Sequence, residues 1–243
     1  VQTALNSDGR ALRFCTLKQR KDSQLITLAI KNNIDSIRYA EIPKSWMNRK
    51  DKSTYVGYIH EHGIGVAKNI SKAKTLYTRS AEAGDVTAMV RLAYIYLNGL
   101  GNNRDYDKSY RWFNLAAESG SIDGLVMLGY MKQKALSVNK DTDGAEELYL
   151  KGLASSLNID VSVINPNIYR GGHAKAAYLL AKLYASKRPK SNSNSKIALG
   201  FFLVAAEQGY LKAQISLANS QRNYLLSQFN LLKSIGLLNS DYL

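Results

Sequence analysis

Three segments of this chain carry one amino-acid pattern at a nearly constant spacing. They are Thr54–Gly84, Asp85–Gly120 and His173–Gly209. The glycines that end the first two segments are 36 residues apart, and a longer stretch separates the second segment from the third. A repeat of this length is typical of a stack of small helical units, and such stacks usually present an extended surface.

Each unit predicts two short helices. In the second segment Ala88, Leu92 and Tyr96 recur at four-residue steps and form an apolar stripe along the first helix. Trp112 and Phe113 begin a similar stripe in the second helix. Since neither helix can bury its stripe alone, neighbouring units must stack on one another.

Equivalent positions of the units also agree in size. The first helix carries a small residue that lets its partner helix approach closely, namely Gly57, Ala93, Gly129 and Ala181. The second helix carries a large ring, namely Tyr77, Phe113, Tyr149 and Phe202. The glycine that closes each unit suits the left-handed conformation with which many helices end.

The combined pattern reads A-x-x-x-[LV]-[GA] in the first helix, a turn, and then K-A-x-x-[WFL]-[YF] with a closing A-E-x-G. It resembles the Sel-one-like repeat, a tetratricopeptide-like family of paired α-helices. The resemblance implies an all-α fold, a right-handed α/α superhelical solenoid over residues 51–220. Its units are about 51–84, 85–120, 121–172 with an insertion, 173–209 and a partial unit 210–220.

The two ends of the chain do not follow the repeat. Residues 1–50 predict short helices over Gly9–Thr16, Ser23–Asn32 and Ile34–Ala40, which form either a cap on the first unit or a separate subdomain. Residues 221–243 predict an amphipathic helix that caps the last unit. A docking helix for a partner or for a membrane surface is the alternative.

The third unit contains an insertion at about residues 155–171. Within it, Asp160–Ile164 alternates apolar and polar residues like a strand, and Asn165-Pro166-Asn167 is a turn signal. We therefore expect either a loop that projects from one edge of the array or a lengthened second helix with an irregular return.

The chain is strongly basic, with a net charge of +14. Most of this charge lies at the ends, because residues 1–52 carry +6 and residues 186–243 carry +5. Such a distribution suggests an anionic partner, although a merely solvated surface explains the same charge. The candidate basic residues are Arg10, Arg13, Lys18, Arg20, Lys21, Lys187, Arg188 and Lys190.

No group of residues predicts catalysis. Gly63 and Gly65 neither follow a strand nor continue as a phosphate-binding loop, so we interpret them as turn residues between two helices. The histidines, His60, His62 and His173, lack the spacing of metal ligands. The single cysteine excludes an intrachain disulfide. We expect no enzyme activity, no metal and no cofactor.

One row of tyrosines predicts a binding surface. Tyr58, Tyr94 and Tyr130 are spaced 36 residues apart, and helical geometry places them outside the apolar stripe. The resemblance implies that the first helices line the concave side of the stack, so we expect these rings to form a column there. Such rings favour partner contact, although each could instead pack between neighbouring first helices. The full candidate set is Tyr55, Tyr58, Arg91, Tyr94, Met127, Tyr130, Lys175 and Lys182.

These patterns predict a non-enzymatic scaffold or adaptor that binds a protein or peptide on the concave face of the solenoid. The alternative is binding of nucleic acid or another anionic surface through the basic ends. No stretch approaches the length of a membrane span, and the N-terminus shows no signal-peptide pattern. Both observations fit a soluble protein of the cytoplasm or one that is secreted into a host cell.

Overall fold

A computed structural model describes residues 1–101, 103–164, 173–186 and 192–234 of the chain. Within these ranges the chain forms α-helices, short 3₁₀ helices and connecting turns, and no strand occurs. The all-α prediction is therefore confirmed. The chain forms two compact units, residues 1–116 and residues 117–243.

Residues 1–52, called the N-terminal segment below, form short helices at the positions that the sequence predicts. The predicted helices at Gly9–Thr16 and Ile34–Ala40 are found at these positions, but both are 3₁₀ helices and not α-helices. The segment contains α1 (Gln2–Ser7), a 3₁₀ helix (Gly9–Phe14), α2 (Leu17–Arg20), α3 (Ser23–Asn32) and further 3₁₀ helices at Ile34–Tyr39, Lys44–Asn48 and Lys50–Lys52.

Side-chain caps explain where these helices begin. Asp8 accepts a hydrogen bond from the backbone N–H of Arg10, and Asp22 accepts one from the N–H of Gln24. Asn33 caps the 3₁₀ helix that starts at Ile34 in the same way. Each cap satisfies a backbone donor that the first turn of a helix leaves free.

The N-terminal segment packs on the first repeat. Ile26, Ile37 and Trp46 are buried in one apolar cluster together with Tyr58 and Ile59 of the helix that follows. The segment therefore covers apolar surface of the first repeat.

The first unit continues with two helix pairs. They are α4 (Ser53–His62) with α5 (Ile70–Glu82) and α6 (Val86–Asn98) with α7 (Tyr106–Glu118). The first helix of each pair ends in a glycine with positive φ, +69° at Gly63 and +67° at Gly99. Because a side chain would be strained in that conformation, these glycines have the turn role that the sequence predicts.

The second unit contains α8 (Ile122–Lys134), α9 (Thr142–Leu157), α10 (Ala174–Ser186), α11 (Asn192–Glu207) and α12 (Leu211–Ser234). Helix α12 runs through both the predicted partial unit 210–220 and the start of the predicted C-terminal helix. These two segments thus form one helix. Residues 235–243 lie outside the described residues, and the capping role of the C-terminal helix stays a prediction.

The strand-like pattern at Asp160–Ile164 does not form a strand. Val161–Val163 forms a 3₁₀ helix, and the carboxylate of Asp160 caps it by accepting the N–H of Ser162 at 2.8 Å. The preceding helix α9 has 16 residues, whereas α5 has 13, so the second helix of this repeat is lengthened. The remaining insertion residues, 165–171, lie outside the described residues.

The small residues of the first helices permit the close approach that the sequence predicts. A Cβ atom on Gly57 would lie 2.8 Å from Cε1 of Tyr77, and one on Gly129 would lie 2.8 Å from Cε1 of Tyr149. Both rings are fully buried. Their hydroxyls donate to polar side chains on the first helix, Tyr77 to Glu61 at 2.7 Å and Tyr149 to Gln133 at 3.0 Å.

These two tyrosines predict a loss of stability at high pH. Burial raises the pKa of both Tyr77 and Tyr149 above the ordinary value of 10.0, and the nearby Glu61 adds to the effect at Tyr77. The unfolded chain therefore gives up these protons first, and the free energy of unfolding should fall as the pH rises above 10. Thermal unfolding between pH 9 and pH 11, followed by helical circular dichroism, measures the slope.

The double variant Tyr77→Phe/Tyr149→Phe is the control for this prediction. It removes both titrating hydroxyls and should make the fall in melting temperature above pH 10 less steep. An unchanged slope in the variant would show that other groups cause the alkaline loss.

Candidate functional site

The predicted surface residues divide between the two units, and the structure exposes only some of them. In the first unit Tyr58 is completely buried, with 0% of its surface exposed, and in the second unit Met127 is 2% exposed. The prediction that both side chains face outward is wrong. The other members are half-buried or exposed, namely Tyr55, Arg91, Tyr94, Tyr130, Lys175 and Lys182.

Tyr58 is buried because the N-terminal segment covers it. Its hydroxyl donates a hydrogen bond to the carboxylate of Asp35, which lies in the 3₁₀ helix Ile34–Tyr39. Arg38 of the same helix lies 3.9 Å from that carboxylate. Burial and the bond to Asp35 raise the pKa of Tyr58, so this hydroxyl stays protonated. Tyr58 therefore joins the N-terminal segment to the first repeat.

A cation and a second ring surround Tyr58 within the repeats. The guanidinium carbon of Arg91 lies 4.6 Å from the centroid of the Tyr58 ring. The ring of His62 stacks on it, with centroids 4.0 Å apart and an interplanar angle of 26°. Arg91 of α6 is half-buried, so its positive charge reaches the surface beside the stacked rings of Tyr58 and His62.

Tyr94 and Tyr55 pack at their edges and keep part of their surface open. The ring of Tyr94 meets that of Phe113 edge to face, with centroids 5.1 Å apart. The ring of Tyr55 lies 6.1 Å from that of Trp46, and the Lys52 ammonium lies 5.6 Å from its centroid. The packing role that we left open for the row of tyrosines is thus complete at Tyr58 and partial at Tyr94.

In the second unit the first helices α8 and α10 lie side by side. The Lys175 ammonium lies 2.9 Å from the sulfur of Met127, and the imidazole of His173 lies 3.5 Å from the carboxylate of Asp123. Burial lowers the pKa of Lys175, and Asp123 acts in the opposite direction. Met127 is buried because its neighbour helix supplies this lysine.

Two rings beside Lys182 were missed by the sequence analysis. The Lys182 ammonium is exposed and lies 5.7 Å from the centroid of Tyr178, and the Tyr178 ring lies 5.0 Å from that of Tyr210. Tyr178 precedes Lys182 by four residues on α10, so helical spacing alone could have placed the two on one face. Together with the half-buried Tyr130, they give the second unit an aromatic surface with an exposed cation.

The basic residues at the N-terminus are largely accessible. Arg10, Arg13, Lys18 and Lys21 are exposed and Arg20 is half-buried. Arg10 is neutralised by Asp8, with 3.0 Å between the two charged groups. The second part of the predicted basic set, Lys187, Arg188 and Lys190, lies outside the described residues.

Comparison with known proteins identifies the repeats. A family model described as Sel1 repeat matches residues 54–85, 86–121, 122–155 and 174–210, which together make up more than half of the chain. The chain belongs to the Sel1 repeat family. Each Sel1 repeat contains one of the four helix pairs that these residues form.

Two solved structures show the same fold. A Sel1 repeat protein from Oxalobacter formigenes is 23% identical, with a TM-score of 0.55, and the match covers 88% of this chain and 75% of that protein. A protective antigen of uropathogenic Escherichia coli strains, which displays an SLR fold, is 24% identical with a TM-score of 0.55. That match covers 89% of this chain and 40% of the antigen. No curated protein matches the chain.

A cleft of about 450 Å³ lies along the second helix of the first Sel1 repeat, a place that the sequence did not predict. Ile70, Lys74 and Arg79 of α5 line it, and Leu100 from the turn of the next repeat closes one end. Its lining combines the apolar side chains of Ile70 and Leu100 with the charged side chains of Lys74, Arg79 and Glu82. The cleft therefore offers a second accessible surface away from the predicted row of tyrosines.

One histidine of the Sel1 repeats, His60, is buried in the first repeat. His60 is 8% exposed, as expected for a packing residue, and burial together with Lys72 lowers its pKa. In the described part of the chain no group of three or more His, Cys, Asp or Glu side chains could hold a metal ion. None of the helices in that part is long and apolar enough to cross a lipid bilayer.

Proposed function

We propose that this Sel1 repeat protein is a non-enzymatic scaffold that binds a protein or peptide through the first helices of its repeats. The observation that carries the proposal is that the first helices of each unit keep accessible side chains at one repeat position, Tyr94 in the first unit and Tyr130 and Lys182 in the second. Proteins of this family generally act as interaction scaffolds.

The binding surface is smaller than the sequence suggested. Tyr58 and Met127 are buried, so their substitution would act through folding and not through partner contact. Arg91 and Lys182 remain as cations beside aromatic rings, at 4.6 Å from Tyr58 and 5.7 Å from Tyr178. Aromatic rings next to cations suit a partner segment that is extended and carries acidic side chains.

The test compares the wild type with two variants in affinity capture from native, nuclease-treated lysate, with quantitative mass spectrometry. The binding-face variant is Tyr94→Ser/Tyr130→Ser/Lys182→Glu. The matched control is Tyr110→Ser/Lys151→Glu, which makes the same kinds of change on the second helices α7 and α9. We expect the wild type and the control to retain the same discrete proteins in high salt and the binding-face variant to lose them.

Circular dichroism separates this result from unfolding, because all three proteins must keep the same helical signal and cooperative melting. Retention of every wild-type partner by a folded binding-face variant would contradict the proposed surface. Loss of all partners after nuclease treatment of the wild type would contradict the scaffold function itself.

A further inference from the structure

The turn between the first 3₁₀ helix and α3 exposes apolar side chains that no part of the described fold covers. Phe14 is 78% exposed and Leu17 is 53% exposed. Exposed apolar side chains held side by side mark a contact with a partner or a membrane more often than isolated ones do.

Hydrogen bonds hold this turn in place. The N–H of Cys15 donates to the carbonyl of Leu12 at 3.1 Å and ends the 3₁₀ helix. Thr16 then starts α2 with a capping box, in which its N–H donates to the Gln19 side chain at 2.9 Å and its hydroxyl accepts from the Gln19 N–H at 3.3 Å. These hydrogen bonds fix the backbone that carries the exposed side chains of Phe14 and Leu17.

Cations surround the two apolar side chains. The guanidinium carbon of Arg13 lies 4.4 Å from the centroid of the Phe14 ring. Lys18 and Lys21 are exposed, and neither forms an ion pair with a described residue. Three acids lie near the turn: Asp22 accepts the N–H groups of Gln24 and Leu25 at the start of α3, Asp8 is paired with Arg10, and the backbone N–H of Glu41 donates to the carbonyl of Arg20 at 2.9 Å. The turn is thus apolar at its tip and positive around it.

We propose that this turn binds the surface of an anionic lipid bilayer, which goes beyond the scaffold function. Phe14 and Leu17 enter the interfacial layer, where aromatic and aliphatic side chains are favoured. Arg13, Lys18 and Lys21 stay in the headgroup layer, where each cation is attracted by the negative surface potential. The long side chains of the lysines reach phosphate groups while their stems lie on apolar surface.

A bilayer fits this arrangement better than a nucleic acid does. Base stacking needs the face of an aromatic ring, and the Arg13 guanidinium covers one of the two faces of the Phe14 ring. Leu17 has no ring and adds nothing to stacking, whereas its burial in lipid adds to membrane affinity. A membrane interface accommodates both exposed apolar side chains together with the cations beside them.

The test is flotation of the full chain with vesicles of phosphatidylcholine alone and of equal parts phosphatidylcholine and phosphatidylglycerol. We expect binding to the anionic vesicles only, with a loss at high salt. Phe14→Ser/Leu17→Ser should weaken binding by about tenfold or more, and Lys18→Gln/Lys21→Gln by about fivefold for each charge removed. The control Leu211→Ser/Ile215→Ser removes two exposed apolar side chains of α12 and should bind like the wild type.

Three results would overturn the proposal. They are absence of flotation with anionic vesicles, equal flotation of the wild type and Phe14→Ser/Leu17→Ser, and equal weakening in the α12 control. A single-stranded oligonucleotide that binds through Phe14 while vesicles do not would assign the turn to nucleic acid instead. Partner capture through Tyr94, Tyr130 and Lys182 is a separate measurement, so the two proposals can fail independently.

Discussion

Replacing Gly9 by alanine should destabilise the first unit by about 3 kcal/mol or more. A Cβ atom at this position would lie 2.1 Å from the carbonyl oxygen of Ala29 and 2.7 Å from the hydroxyl of Ser36. The first of these atoms belongs to the backbone of α3, so no side-chain rotation relieves the clash. Since Gly9 does not have a positive φ, the cost comes from packing and not from its backbone conformation.

Fluorescence of Trp46 measures this effect. Its indole is buried between the N-terminal segment and the first repeat and donates to the hydroxyl of Ser23 at 3.2 Å. A Trp112→Phe background leaves Trp46 as the only tryptophan. Gly9→Ala should shift the urea unfolding midpoint of this signal to a clearly lower concentration, and the neighbouring exposed change Arg10→Ala should shift it much less.

The same variant tests the link between the N-terminal segment and the row of tyrosines. Ser36, which the new methyl group would displace, is next to Asp35, the acceptor of the Tyr58 hydroxyl. Loosening this 3₁₀ helix should therefore uncover Tyr58. An unchanged Trp46 midpoint in Gly9→Ala would mean that α3 and the first 3₁₀ helix do not pack as the structure has them.

Most of the fold could be predicted from the sequence because its signals are local. The repeat period can be read from the sequence directly. Two kinds of glycine then act within a single helix pair, the small residues Gly57 and Gly129 and the turn residues Gly63 and Gly99. The strand prediction at Asp160–Ile164 failed because a strand depends on a partner that is not local. Alternation over five residues stabilises a strand only beside a second strand, and the Asp160 carboxylate instead caps a 3₁₀ turn.

The candidate site was harder to predict because exposure depends on neighbours that are distant in sequence. Helical geometry places Tyr58 and Tyr94 at equivalent positions, yet only Tyr58 meets the N-terminal segment, through Asp35. Met127 is covered in a similar way by Lys175 of a neighbouring first helix, at 2.9 Å. A helical wheel contains one helix and cannot show either contact.

Replacing Gly129 by alanine should destabilise the second unit by about 1 kcal/mol. The new Cβ atom would lie 2.8 Å from Cε1 of the buried Tyr149 ring and 3.1 Å from the carbonyl oxygen of Ala145. Overpacking of this kind costs about 1–3 kcal/mol, and the better helix propensity of alanine returns only about 1 kcal/mol. The clash wins because the Tyr149 hydroxyl is held by Gln133 at 3.0 Å, which prevents the ring from moving aside.

The double variant Gly129→Ala/Tyr149→Phe decides whether that hydrogen bond is the reason. It copies the alanine and phenylalanine that the second repeat carries at the equivalent positions, Ala93 and Phe113. Without the hydroxyl the ring can shift, so the double variant should lose less stability than the two single variants together. Additive losses in urea unfolding would show that the backbone of Ala145, and not the fixed ring, sets the helix spacing. The choice of glycine or alanine on the first helix would then depend on the backbone alone.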